Sequence, residues 1–339
     1  MKSQVALSHD AAMRLAVEHA NMVKGSTYPN PPVGAVILDR AGRVVGAGGT
    51  EPAGGAHAEV VALRRAGALA AGGTAVVTLE PCNHYGKTPP CVDALLDAGI
   101  AEVVYAVADP NPIAAGGAAR LAAAGVRLVA GVQADQVAAG PLREWLHKQK
   151  TGLPHVTWKY ATSIDGRSAA ADGSSQWIAS EAARADVHRR RAAADAIIVG
   201  TGTVLTDDPA LTARLPDGTL ADRQPLRVVV GKRDIPSDAR VLNDDSRTMV
   251  IRTHDPHEVL KALSDRTDVL LEGGPTLAGA FLRAGAIDRI LAYVAPILLG
   301  GPVTAVDDVG VSNIARALRW QFDGVERVGP DLVLSLVPR

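Results

Sequence analysis

Aromatic side chains are scarce in this chain, at 3% of 339 residues. So thin a supply excludes the stacking platforms on which proteins hold single-stranded nucleic acid. Net charge is missing too. Thirty-five Lys and Arg face 36 Asp and Glu, a formal balance of −1, so bulk electrostatics favours no polyanion and charged ligands must be held by local clusters. No run approaches the roughly 20 apolar residues that cross a bilayer. Met1–Asp10 has no basic segment followed by an apolar one, as a secretory signal requires. We therefore expect a cytoplasmic protein with no membrane and no nucleic acid among its partners. Its two cysteines, Cys82 and Cys91, could form one disulfide, but a reducing compartment suits them better as thiolates for a metal or for catalysis.

What is present is the composition of a globular protein, 47% hydrophobic and 21% charged, in a length that suits two domains. In the first half, Met13, Leu15, Ala16, Ala20 and Val23 fit a helix stopped at Gly25. Residues 33–38 and 43–47 read as a strand pair around the Ala41-Gly42 turn. A helix from about His57, a strand at 75–79, a helix from about Pro90, a strand at 102–108 and a shorter αβ unit follow. Polar residues with Gly152 and Pro154 mark 148–154 as a linker between domains at 1–147 and 155–339. The second half predicts strands at 155–162, 196–199, 226–230, 248–251, 269–271, 290–294 and 332–336, with helices at 181–194 and from Pro275. Both halves are α/β domains.

Three elements of the first half point to one chemistry: His57-Ala58-Glu59, Pro81-Cys82 and Pro90-Cys91. A hydrolytic zinc site takes three protein ligands and leaves a fourth position for water, and His57, Cys82 and Cys91 supply that count. Zinc lowers the pKa of such a water towards about 7. A carboxylate that is not a ligand must then carry protons to the leaving amine, and Glu59 stands two residues from His57. Helices starting near His57 and Pro90 would aim their positive ends at the metal and favour thiolate. This is the arrangement of zinc-dependent nucleobase deaminases.

The common deaminase pattern spaces its cysteines Cys-x-x-Cys, whereas eight residues separate Cys82 from Cys91. The inserted segment carries His84 and Lys87, and a phosphorylated substrate would use Lys87 as a phosphate partner. Pro81-Cys82-x-His84-x-Gly86-Lys87-Thr88-Pro89-Pro90-Cys91 resembles the signature of the bifunctional deaminase–reductase family of riboflavin biosynthesis. Asn30-Pro31-Pro32-Val33-Gly34 and Asp109-Pro110-Asn111-Pro112 resemble further segments of it. The resemblance implies a cytidine-deaminase-like α/β/α domain. In it Asn30 and the Val33–Ala35 backbone read the pyrimidine, His84 and Lys87 face the substrate, and Asp109 and Asn111 lie near the ribose phosphate. Plain turn chemistry is the alternative for the Asn-Pro and Asp-Pro pairs.

No Gly-x-Gly-x-x-Gly follows a strand in the second half, so a Rossmann domain is not indicated. Instead Val269-Leu270-Leu271-Glu272-Gly273-Gly274-Pro275 runs from a buried strand through two glycines into a helix whose first residue is proline. Bare N–H groups there can hold a diphosphate, although Gly-Gly-Pro also simply ends strands. Thr162–Arg167, Ser175–Ile178 and Gly202–Thr212 resemble the reductase domain of the same family, which has a dihydrofolate-reductase-like α/β fold. By that resemblance Ala161, Trp177, Thr203, Asp207 and Gly274, Pro275, Thr276, Leu277, Ala278, Gly279 and Ala280 line the nicotinamide cofactor. Ser175, Arg191, Leu211, Arg214 and Glu272 contact the sugar phosphate, the two arginines by paired N–H bonds. Our own addition is that Lys232 and Arg233, after the 226–230 strand, hold the 2′-phosphate and select NADPH.

The resemblance implies Zn2+ and NADPH as cofactors and a pyrimidine ribosyl phosphate as substrate. It further implies deamination followed by reduction of the ribosyl group to ribityl, and we expect a homodimer formed through the reductase domain. Glu272 and Asp207 are the acids available for proton transfer in the second half. Two other readings stay open. One is a deaminase of another nucleobase with a scaffold domain attached. The other is a zinc-stabilised sensor, against which Glu59 argues, since a purely structural site has no use for that carboxylate.

Overall fold

The computed structural model describes residues 6–339, so the first five residues of the N-terminal segment read above lie outside it. The chain forms two compact units, Met1–Gly152 and Leu153–Arg339. Among the described residues no helix is long and apolar enough to cross a membrane.

The first unit runs α1 (His9–Val23), β1 (Gly34–Leu38), β2 (Val44–Gly49), α2 (Ala58–Ala66), β3 (Thr74–Leu79), α3 (Cys91–Asp97), β4 (Glu102–Val107), α4 (Gly117–Ala123), β5 (Arg127–Ala130), α5 (Ala134–Ala139) and α6 (Arg143–Thr151). Its sheet has the order β2-β1-β3-β4-β5. The β1 strand is antiparallel to both neighbours, and β3, β4 and β5 are parallel. β-Branched residues fill the strands (Val36, Ile37, Val76, Val77, Val103 and Val104 are fully buried), as suits a sheet covered on both faces. Ser8 caps α1 by accepting from the Ala11 N–H. Ala12, Met13, Ala16 and Ala20 then face the sheet at helical spacing. This contact is close: a Cβ on Gly34 would stand 1.9 Å from the Ala16 carbonyl oxygen.

The second unit runs β6 (His155–Ser163), α7 (Glu181–Ala193), β7 (Ala196–Gly200), α8 (Thr201–Asp207), β8 (Leu226–Val230), β9 (Thr248–Ile251), α9 (Pro256–Ala262), β10 (Asp268–Leu271), α10 (Pro275–Arg283), β11 (Arg289–Ala295), β12 (Trp320–Val328) and β13 (Asp331–Pro338). Eight strands form one sheet, ordered β12-β13-β11-β6-β10-β7-β8-β9. The six from β11 to β9 are parallel, and β12 and β13 add an antiparallel edge. The carboxyl ends of six strands therefore open on one side of the sheet, which is where open α/β sheets hold ligands.

Two expectations change. Lys148–Thr151, expected in a linker, are the last turn of α6. Lysines suit a helix C-terminus, and only Gly152, at φ 74°, stops it. The Gly202–Thr212 stretch, read as a motif without a structure, begins in α8, which takes in Gly202–Asp207.

Candidate functional site

In the first unit, His57 is the N-cap of α2 and Cys91 the first residue of α3, while Cys82 follows the end of β3. Their donor atoms converge. His57 Nδ1 lies 3.2 Å from Cys91 Sγ and 3.5 Å from Cys82 Sγ, and all three donors fall within 4.8 Å of one another. Both cysteines are free thiols, so the disulfide alternative fails. The Cys91 backbone N–H, at the start of α3, points at Cys82 Sγ over 3.4 Å. The Cys82 thiol is drawn down to about 4, first by a hydrogen bond from Cys91 and then by His57. Cys91 is pushed up by that same bond and by burial. An imidazole nitrogen and two thiols at this spacing are the donor set that Zn2+ takes.

Glu59 lies on the first turn of α2 and is 4% exposed. Burial raises its carboxyl to about 7, with the charge on Cys82 adding to the rise. A carboxyl at that value both takes and gives a proton at neutral pH, as a shuttle must. His57, Glu59 and Cys82 open into a cavity of about 300 Å³ that is also lined by Asn30, His84, Lys87, Asp109 and Asn111. Of the residues named for the deaminase site, all but Cys91, Gly34 and Ala35 thus line one space. The Val33–Ala35 backbone is less free than expected. The Val33 N–H is bonded to Pro31 O and Thr50 Oγ1, and the Gly34 N–H to Thr78 Oγ1. Among the lining groups that were not foreseen are Glu80, and Trp145 with Gln149 from α6. The turn carrying Cys82 is pressed onto the start of α4, where a Cβ on Gly117 would stand 1.8 Å from Pro81 O.

In the second unit some of the expected residues, Thr203, Arg233, Gly274 and Leu277, come together after the ends of β7, β8 and β10. Gly274 caps α10 without any side-chain hydrogen bond, and a Cβ there would lie 3.6 Å from Thr203 Oγ1 on α8. Leu277 packs over Gly200 and Gly273. The Arg233 guanidinium lies 2.9 Å from where a Gly202 Cβ would stand, which brings the 231–233 turn to the same place. Two bare glycines and an uncapped helix start leave N–H groups that fit a cofactor diphosphate.

Beside this lies a charged cluster. Arg191 Nε and Nη2 fork onto Glu272 at 2.7 and 2.8 Å, and Nη1 reaches Thr212 O at 3.2 Å. Lys159 Nζ stands 3.5 Å from Glu272. The paired donors expected to grip a phosphate are therefore already engaged. Burial would raise the Glu272 carboxyl, but Arg191 and Lys159 outweigh it and hold the group at about 2. Such a group stays ionised and is a poor proton donor; Asp207, raised by burial, is better suited. Arg214 donates to Gly218 O. Trp177 is 69% exposed, with the Arg184 guanidinium 4.7 Å from its ring centre. Leu211 is buried at φ 52°, backbone that leucine rarely adopts. Lys159 was missed, although a lysine inside the apolar run of β6 was the available signal.

Fold and site together define a zinc-dependent deaminase joined in one chain to a reductase that uses a nicotinamide cofactor. Comparison with known proteins agrees. Residues 7–107 match the cytidine and deoxycytidylate deaminase zinc-binding region, and residues 154–334 match the RibD C-terminal domain. The riboflavin biosynthesis protein RibD of Mycobacterium tuberculosis is 81% identical over 332 residues, covering 98% of each chain. That of Escherichia coli is 40% identical, covering 96% of this chain and 98% of its own. Among solved structures, Acinetobacter baumannii RibD superposes with a TM-score of 0.87 at 39% identity, over 98% of this chain and 99% of its own. A Thermotoga maritima diaminohydroxyphosphoribosylaminopyrimidine deaminase/5-amino-6-(5-phosphoribosylamino)uracil reductase gives 0.88 at 31%, with the same coverage. The chain belongs to the RibD family of riboflavin biosynthesis, bifunctional enzymes that deaminate and reduce with Zn2+ and NADPH.

Proposed function

We propose that this enzyme deaminates 2,5-diamino-6-ribosylamino-4(3H)-pyrimidinone 5′-phosphate and then reduces the ribosyl group of the product to ribityl phosphate. The observation that carries the reading is the meeting of His57 Nδ1 with two free thiols at the wall of a cavity that His57, Cys82 and the buried Glu59 line. His57, Cys82 and Cys91 hold Zn2+, which when bound makes water acidic enough to attack at neutral pH. Glu59 takes the proton of the attacking water and delivers it to the leaving amine. Asn30 orients the pyrimidine. Lys87 partners the phosphate, His84 faces the substrate beside it, and Asp109 and Asn111 lie near the ribose phosphate.

In the second unit the start of α10 holds the cofactor diphosphate, and Ala161, Trp177, Thr203 and Asp207 flank the nicotinamide. Bound NADPH supplies the hydride. Asp207 carries the accompanying proton, while Lys232 and Arg233 favour the 2′-phosphate. Ser175, Leu211 and Arg214 border the sugar phosphate, and Arg191 is set by Glu272. The site functions are divided between residues 1–147 and 155–339. The enzyme works in the cytoplasm as a homodimer through its reductase unit. Phe322, Val325 and Leu332, exposed on the β12–β13 edge, support that pairing.

The test supplies the diaminopyrimidinone nucleotide with and without NADPH and follows ammonia and absorbance together. Ammonia released without NADPH, with cofactor oxidised only after deamination, is expected. Cofactor oxidation with no ammonia would reverse the order, and ammonia alone under both conditions would remove the second activity.

A further inference from the structure

Glu80 ends the run that β3 feeds into Pro81 and the metal ligand Cys82. It is 8% exposed and borders the deaminase cavity, and among the described residues no ion pair is recorded for it. Keeping a lone carboxylate there is costly unless its oxygens are well bonded. Both are. Oε2 accepts from the Asp109 N–H at 3.2 Å and Oε1 from the Ala118 N–H at 2.9 Å. Those N–H groups stand at the two ends of one excursion, residues 109–118, from which Asn111 and Ala114 also line the cavity. The neighbouring Asn83 N–H donates to Ala114 O at 2.9 Å, pinning the middle of the same excursion. Only a side chain with two acceptor oxygens and no donor can hold both ends at once, and its charge strengthens each bond.

We propose that Glu80 is a positioning residue of the deaminase, fixing the 109–118 excursion relative to Cys82 so that Asp109 meets the ribose when the pyrimidine is over the metal. This rests on the reading of Asp109 as a substrate contact. Glutamine at position 80 keeps one acceptor and turns an N–H2 towards the other donor.

The test uses the full-length zinc-loaded enzyme and compares Glu80→Gln, Asp109→Ala and the double variant in deamination of the nucleotide, with zinc content and melting temperature measured on each. Loss of hydrogen bonds to a charged group predicts that Glu80→Gln raises KM about tenfold, with kcat changed less than about threefold. Zinc should remain at one per chain. Asp109→Ala should raise KM as well, and the double variant should be no worse than the larger single effect, since the two act along one path. Multiplying effects, or a rise for Asp109→Ala with none for Glu80→Gln, would overturn the proposal alone. So would zinc loss with a falling kcat, which makes Glu80 a support of the metal. An unchanged KM in Asp109→Ala removes both the contact and the proposal. Should Glu80→Gln not fold, amide exchange in the unmodified enzyme decides. The Asp109 and Ala118 amides should both be protected, and fast exchange at either overturns the idea.

Discussion

The two halves of this enzyme handle charge in opposite ways. The deaminase unit buries a carboxyl that has no Arg or Lys paired with it among the described residues, and burial moves Glu59 to about 7. The reductase unit surrounds a buried carboxyl with Arg191 and Lys159 and holds Glu272 at about 2. The first arrangement makes a group that changes its proton readily near neutral pH, and the second makes one that stays ionised there. Proton shuttling to an amine needs the former. In the reductase unit Glu272 with Arg191 and Lys159 forms a fixed charged scaffold instead.

The contrast breaks first at Glu59. Glu59→Gln should lower deaminase kcat by about 10²- to 10⁴-fold, and chelation of zinc should do at least as much. Reduction of the deaminated intermediate by NADPH should hold its rate in both cases. Parallel loss of the two activities would mean the units are not chemically separate.

Next comes Glu272. Its removal in Glu272→Ala leaves Arg191 and Lys159 buried without a counter-charge, a loss on the order of 3–5 kcal/mol to be read from urea unfolding of the reductase unit. The pH dependence follows from the sign of its shift. A carboxyl whose folded pKa is lowered stabilises fully above its unfolded value and loses that stabilisation as pH falls towards about 2. Wild type should therefore lose stability from about pH 4.5 downward more steeply than Glu272→Gln. Equal slopes would deny Glu272 its anchoring part.

A smaller effect sharpens the cofactor side. Lys232→Ala with Arg233→Ala should cut the preference for NADPH over NADH about tenfold, the scale of losing charge-assisted phosphate contacts; an unchanged ratio of kcat/KM values removes the 2′-phosphate assignment. The smallest belongs to Arg184, whose cation–π contact with an exposed Trp177 is worth roughly 0.5–1 kcal/mol. Arg184→Ala should weaken NADPH binding about threefold, followed by quenching of Trp177 emission, and identical titrations would exclude Trp177 from the cofactor site.

Legibility differed between the halves for a physical reason. A metal dictates residue type and number, so His57, Cys82, Cys91 and Glu59 could be read from the chain before any fold was known. Glu80 could not, because it takes its meaning from a partner far away in sequence, Ala118, and Lys159 showed only as a lysine in an apolar run, its partner Glu272 lying far away. Strands with fully buried runs, such as 226–230, stood out with their exact bounds. The β12 strand did not. It is an edge strand with a bulge between Phe322 and Gly324 and mostly exposed side chains, so neither alternation nor an apolar run announces it. The α6 helix hid for the converse reason, since its last turn is polar and stops at a glycine.

The bare backbone at Gly117 has a genetic consequence. One methyl group there would collide with the carbonyl of Pro81 and shift the turn that carries a metal donor, without touching the other half of the polypeptide. A cell carrying alanine at 117 should behave as a mutant in one step of a two-step enzyme, accumulating the substrate of the first reaction while still converting a supplied substrate of the second.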